Sequence, residues 1–230
     1  MWRNLLKKSI LLALVGICLL IGYEARKPGR LPFQELRLLG ADNSPIEQVV
    51  TTMEIRKGTN MLRIEPQTVR ERLIELPWVR DARVSRQFPD ILEVELLEKV
   101  AVATSREGEK LFLVDEYGLF IKPLESHERP ILPVVTTLVD EKKRSERIVE
   151  LMNLLGEHEW LKVRLSEAVG LPGHRWALYT RQGIKLLLSQ MPQQELHLLR
   201  LLQKRFKILD RQVRQVDLRI AGVAVVRPLS

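Results

Sequence analysis

Apolar residues in this chain come first as an unbroken run and afterwards at two different periods. The run is residues 9–23, SILLALVGICLLIGY, which carries no charge and follows Arg3, Lys7 and Lys8. A straight membrane-spanning helix takes about 20 apolar residues. Trp2, Leu5 and Leu6 supply the missing length once Lys7 and Lys8 snorkel toward the headgroups, and Tyr23 suits the opposite interface. A cleaved signal peptide shares the basic start and apolar core, but it needs small residues at an A-x-A-like site. Neither Tyr23 with Ala25 nor Leu20 with Gly22 fits that need, and Ile17 before Cys18 argues against a lipoprotein. The pattern predicts an uncleaved anchor at 9–25 behind a cytoplasmic tail of 1–8. Arg26, Lys27 and Arg30 nearly balance the bases before the run, so charge alone leaves the orientation open. A short tail kept inside requires export of everything that follows, and long domains translocate largely regardless of charge.

Residues 26–32 are polar and carry two prolines and a glycine in the neighbourhood of a linker. Residues 33–40 then alternate as a strand does and stop at Gly40. Ser44-Pro45-Ile46-Glu47 predicts a helix start with Ser44 as cap, Pro45 at the first helical position and Glu47 closing a capping box. Ile46, Val49, Val50 and Met53 recur as one helical face, and a second helix from Pro66 buries Val69, Leu73 and Leu76. After Pro77 the period falls to two. Ala82 and Val84 alternate with polar residues, Phe88-Pro89-Asp90 turns the chain, and Leu92, Val94 and Leu96 return on one face with Glu93 and Glu95 on the other. Strand, helix, helix, strand, strand over 33–100 is a compact α+β unit.

From 101 to 230 the pattern is mostly β. Strands are predicted at 111–114, 119–121, 176–180, 183–188, 213–220 and 223–226, with turns at Asp115-Glu116-Tyr117-Gly118 and Arg181-Gln182-Gly183. Two amphipathic helices flank them, one from about Glu141 to Leu155 and one from Pro192 to about Leu209. The second carries Leu196, Leu199, Leu202 and Phe206 at helical spacing.

Charge and chemistry narrow the function by what they leave out. The net charge is +8, but 29 acids are interspersed with 37 bases, with no polybasic arm and no nucleic-acid-binding motif. A single cysteine, Cys18, excludes an intrachain disulfide and a cysteine-built zinc site. The histidines His127, His158, His174 and His197 are scattered. His158-Glu159 begins a zinc-protease pattern that fails at Lys162, so His158 is expected on a helix surface. No phosphate-cradling loop or Gly-x-Ser-x-Gly elbow occurs. Glu93 and Glu95 lie two apart on a strand, a spacing that evokes paired-carboxylate hydrolysis but is more simply a solvated hairpin face. Nothing nominates a catalytic residue, a cofactor or a metal site.

Leu76-Pro77-Trp78-Val79 with Val84-Ser85-Arg86 and Phe88-Pro89-Asp90, then residues 96–102 (LLEKVAV), Leu113-Val114-Asp115 with Gly118, Leu132-Pro133, Trp176, Gly183-Ile184-Lys185-Leu186 and Val216-Asp217-Leu218-Arg219, occur in an order that resembles the FtsQ/DivIB family of bacterial cell-division proteins. The resemblance implies a POTRA domain over 33–100 and a β domain over 101–230. It also implies a single-pass type II inner-membrane protein at the division septum, with its domains in the periplasm and no enzymatic activity. Such a protein scaffolds the divisome by binding FtsB- and FtsL-like coiled-coil partners, with further division partners on the POTRA domain. The chain departs from the family where Ile220-Ala221-Gly222-Val223 replaces a more polar and aromatic turn.

The terminal ribbon carries the partner expectation. Val223 to Val226 read either as the last buried strand or as an open sheet edge that recruits another chain by strand addition; the resemblance favours the edge. Arg219, Ile220, Val223 and Val225 are the expected contacts there, Arg175 is a second charged contact, and Trp78 is an aromatic candidate on the POTRA unit. A POTRA-bearing component of outer-membrane protein assembly is the alternative, although the chain lacks both a run of barrel strands and repeated POTRA units.

Overall fold

The structure, a computed structural model, describes residues 2–25, 29–125, 127–128, 131–137 and 143–229, with side chains at residues 11–24 in the first segment. Helix α1, Trp2–Ala25, takes in most of the expected tail as well as the apolar run. Among the described residues no helix is long and apolar enough to cross a membrane. The chain divides into two compact units, one ending at Lys99 and one beginning at Val100.

In the first unit β1 (Glu35–Leu39), α2 (Ile46–Met53), α3 (Pro66–Ile74), β2 (Val79–Gln87) and β3 (Ile91–Glu98) follow in the expected order. The sheet runs β1-β3-β2, with β1 parallel to β3 and β2 antiparallel to it. Leu92, Val94 and Leu96 face a core completed by Val49, Met53, Val69 and Leu73 from the two helices. The apolar face of α2 is narrower than its sequence suggests, because Ile46 and Val50 are exposed. The capping box does not form. Pro45 occupies the cap position of α2 without a side-chain bond. Ser44 is buried beside it, and its backbone N–H donates to Glu98 Oε1 at 2.8 Å. Glu98 Oε2 accepts from the backbone and side-chain N–H groups of Asn43 at 2.8 and 2.9 Å, which ties the entry of α2 to the end of β3.

The second unit is one mixed sheet of nine strands among the described residues, ordered β12-β11-β10-β9-β8-β7-β4-β5-β6. Its strands are β4 (Ala101–Glu107), β5 (Lys110–Asp115), β6 (Phe120–Pro123), β7 (Val134–Thr137), β8 (Leu165–Leu171), β9 (Arg175–Thr180), β10 (Lys185–Leu188), β11 (Val213–Ile220) and β12 (Val223–Pro228). Sequence pattern missed β4, β7 and β8, as well as the one-turn helix α5 (Glu159–Lys162). The two expected helices are α4 (Arg144–Gly156) and α6 (Pro192–Phe206). The start predicted near Glu141 lies outside the described residues. Ile148, Leu151 and Leu155 of α4 and Leu196 and Leu199 of α6 pack with Leu178, Leu186, Val216 and Leu218 of the sheet into one core. Phe206, expected on that face, is exposed at the end of α6. His158 is buried rather than at the surface, with Nε2 3.2 Å from Gln193 Oε1, because the turn before α5 folds against the start of α6.

Candidate partner-docking edge

Strand β12 is one of the two margins of the large sheet, and among the described residues its only neighbour is β11. The two strands form a hairpin turned at Ala221-Gly222, where Gly222 has φ +72°, a left-handed conformation that favours glycine. Their register pairs Val216 with Val226, Asp217 with Val225 and Ile220 with Val223.

The direction of each backbone group follows from one bond. Leu229 N–H donates to Gln212 C=O at 3.0 Å, just past the pair Val213–Pro228. In an antiparallel strand the residues whose polar groups cross to the neighbour alternate with residues whose groups point away. Counting back from Leu229, Arg227, Val225 and Val223 point inward to β11, while Pro228, Val226 and Ala224 point outward. The outer margin therefore offers N–H and C=O at Ala224 and Val226. At Pro228 it offers C=O alone, since proline has no donor and loses no ladder bond by facing out. The strand runs two residues further than the alternation predicted, because an outward proline does not stop it.

Side chains divide by the same alternation. Ala224 packs against the core, and Val226 lies opposite buried Val216 on that helix-covered face. Val223 and Val225 belong to the other face. Ile220, Val223, Val225 and Val226 are 60%, 46%, 44% and 39% exposed, so the ribbon is not the buried last strand of a closed core.

Arg175, Arg219 and Ile220 line one open groove of about 520 Å³ with Ser189, Gln190, Met191 and Asp217. Arg219 is not waiting for a partner with an empty fork. Its Nε donates to Asp217 Oδ1 at 2.9 Å and its Nη2 to Oδ2 at 2.6 Å. Those bonds hold the Asp217 carboxyl below its ordinary range against partial burial, and the charge of Arg227 adds to the effect. The same pairing raises the Arg219 guanidinium further above neutrality. Arg175 is anchored by Nε to Pro172 C=O at 3.0 Å. Trp78 belongs to the other compact unit, half-buried, with its C=O accepting from Lys99 N–H at 2.7 Å. Asp217 is the groove residue that the sequence reading passed over. Two positions apart on a strand, Asp217 and Arg219 share a face, so their spacing already carried the signal.

Glu93 pairs with Arg37 at 3.2 Å and Glu95 with Arg83 at 3.4 Å, so each carboxylate of the hairpin is answered across the sheet face. Among the described residues no group of three His, Cys, Asp or Glu side chains could hold a metal ion.

Comparison with known proteins decides the family. Residues 31–99 match the model of the POTRA domain, FtsQ-type, and residues 101–219 match the C-terminal domain of cell division protein FtsQ/DivIB. The chain belongs to the FtsQ/DivIB family. The two matched regions meet at the boundary between the compact units, and both are of the division type rather than the outer-membrane assembly type. Among its relatives, the cell division protein FtsQ of Zymomonas mobilis is 27% identical over 239 residues, covering 97% of this chain and 74% of that protein. The cell division protein FtsQ of Rhizobium radiobacter is 29% identical over 184 residues, 78% of this chain and 84% of that one. A solved structure of the major extracytoplasmic domain of the cell division protein DivIB from Geobacillus stearothermophilus is similar at 19% identity and a TM-score of 0.31, covering 41% of this chain and 82% of that one.

Proposed function

We propose that this FtsQ/DivIB-family chain is a membrane-anchored, non-enzymatic scaffold of the bacterial divisome that captures a partner segment as an added strand on β12. The observation that carries this is the pair of outward N–H and C=O groups at Ala224 and Val226 on an exposed, apolar sheet margin. Unpaired backbone groups on an edge give affinity to an incoming strand, and the side chains on either face select it. FtsB- and FtsL-like coiled-coil proteins are the partners the family suggests. Arg175, Arg219, Ile220, Val223 and Val225 would make their contacts. Asp217 already occupies one side of the Arg219 fork, so a partner carboxylate would approach its free end.

Leu11, Leu12, Leu14, Ile17, Leu19 and Leu20 of α1 expose their side chains, which supports a single-pass anchor; the inner membrane, with both domains in the periplasm at the septum, is the placement the family suggests. On the POTRA unit, β2 is a sheet edge beside α3. A groove of about 480 Å³ there is lined by Gln67, Arg70, Arg83, Glu95 and Leu97, among others, and suits a further division partner. Trp78, just before β2, would lie at the margin of that contact.

Proline scanning of β12 tests the edge. Val226→Pro removes an outward donor and leaves the β11 ladder intact. It is expected to lower recovery of FtsB- and FtsL-type proteins with the full-length chain from detergent-solubilised membranes by roughly five- to tenfold, with an unchanged melting temperature. Val225→Pro removes an inward donor and should lower the melting temperature as well. Full recovery with Val226→Pro would overturn the edge.

A further inference from the structure

The end of β12 nearest the chain terminus carries a cationic corner built by register. Lys185 of β10 pairs with Gln215 of β11, and Gln215 with Arg227 of β12, so Lys185 and Arg227 lie in one cross-strand row on the helix-free face. A register shift between Val213 and Gln215 adds Arg214 to them. Val213 and Val216 are both buried although they are three residues apart, as happens when an extra residue bulges the strand. Arg214 and Gln215 then both stand off the core face, opposite Arg227. Among the described residues no carboxylate lies within ion-pair distance of Arg214 or Arg227. Lys185 sits over the Tyr179 ring at 5.6 Å. One row away the same face loses its cations: Ala177, Leu187 and Val225 flank the Asp217 carboxylate, which feels the charge of Arg227.

We propose that Arg227, supported by Arg214 and Lys185, sets the register of the added strand by taking a carboxylate from the one partner residue that continues its row. This rests on strand addition at β12. Backbone bonds at Ala224 and Val226 are indifferent to sequence and would accept a strand slipped by two residues, whose side chains keep their faces. A slipped strand would move its acid away from Arg227 and set it beside Val225. A row holding Val225 and the Asp217 carboxylate next to a cationic row therefore distinguishes registers that the backbone cannot. The partner segment this corner fits is extended, apolar opposite Val225, and acidic two positions away opposite Arg227.

The probe is a set of short Thr/Val peptides, each with one glutamate walked from end to end, titrated against the full-length chain in detergent micelles. The glutamate position opposite Arg227 should bind about threefold more tightly than the positions two residues to either side of it. That preference should vanish in Arg227→Ala, and Arg227→Glu should transfer it to lysine at the same position, with unchanged melting temperatures. Affinity independent of glutamate position, or a preference that survives Arg227→Ala, overturns the register role while leaving the edge intact. Peptides that bind Val226→Pro as well as they bind the parent, or that do not bind the parent, overturn strand addition itself. Phosphatidylglycerol vesicles form the second arm: binding to vesicles that requires Arg214 and Arg227, without position-dependent peptide binding, would make the corner a lipid contact and overturn the proposal.

Discussion

Ser44 has the residue type and spacing of a helix cap, yet its backbone rather than its hydroxyl makes the bond that matters. Glu98, 54 residues away, accepts from it, and Asn43 adds two more bonds. Partial burial works against a charged Glu98, but the bonds from Ser44 and Asn43 outweigh it and hold the carboxyl below its ordinary range. A carboxylate depressed on folding stabilises fully at neutral pH, and that contribution is lost as the pH falls through its folded value. Glu98→Gln should therefore lower the stability of the membrane-proximal unit by about 1–3 kcal/mol near pH 7. The loss should shrink in acid, which urea unfolding followed across pH would measure. Residues 43 and 44 could not announce this from their own surroundings, since the acceptor arrives from the far end of the domain. The Asp217–Arg219 pair was legible by contrast, because both partners sit two positions apart on one strand.

Most elements with a wet and a dry face were visible in the sequence, with β8 the exception, and elements without one were not. The hairpin β2–β3 alternates and was located closely, as were β5, β9 and β11. Strand β7 has only four residues and lies between two parallel neighbours, β4 and β8. Parallel strands buried within a sheet lose the alternation that marks an edge or a meander. In β4 the buried residues include Thr104 and Ser105, which read as a loop until their place in the sheet is known. The β5–β6 turn shows the converse, a local signature with a long-range purpose. Gly118 has φ +75°, and a Cβ there would stand 2.6 Å from the carbonyl oxygen of Ser145 in α4. Ser145 Oγ donates to Gly118 C=O at 3.0 Å, so helix and turn are fastened where they touch. Gly118→Ala should cost roughly 1–3 kcal/mol, read as an earlier denaturation midpoint for the second unit.

At the scale of the whole chain the two cores share no residue, one centred on Leu92 and Leu73 and the other on Leu178 and Leu186. Calorimetry on the full-length protein should show two transitions. Leu92→Ala should lower only the one belonging to the POTRA unit and Leu178→Ala only the other, each by about 2–5 kcal/mol of unfolding free energy. The large sheet also finishes in proline at both margins, Pro123 in β6 and Pro228 in β12. A sheet open on two sides could polymerise through copies of itself wherever the protein is crowded. A residue that cannot donate closes each border strand, which removes one bond from any ladder a second copy could build there and leaves the interior of β12 to carry the association.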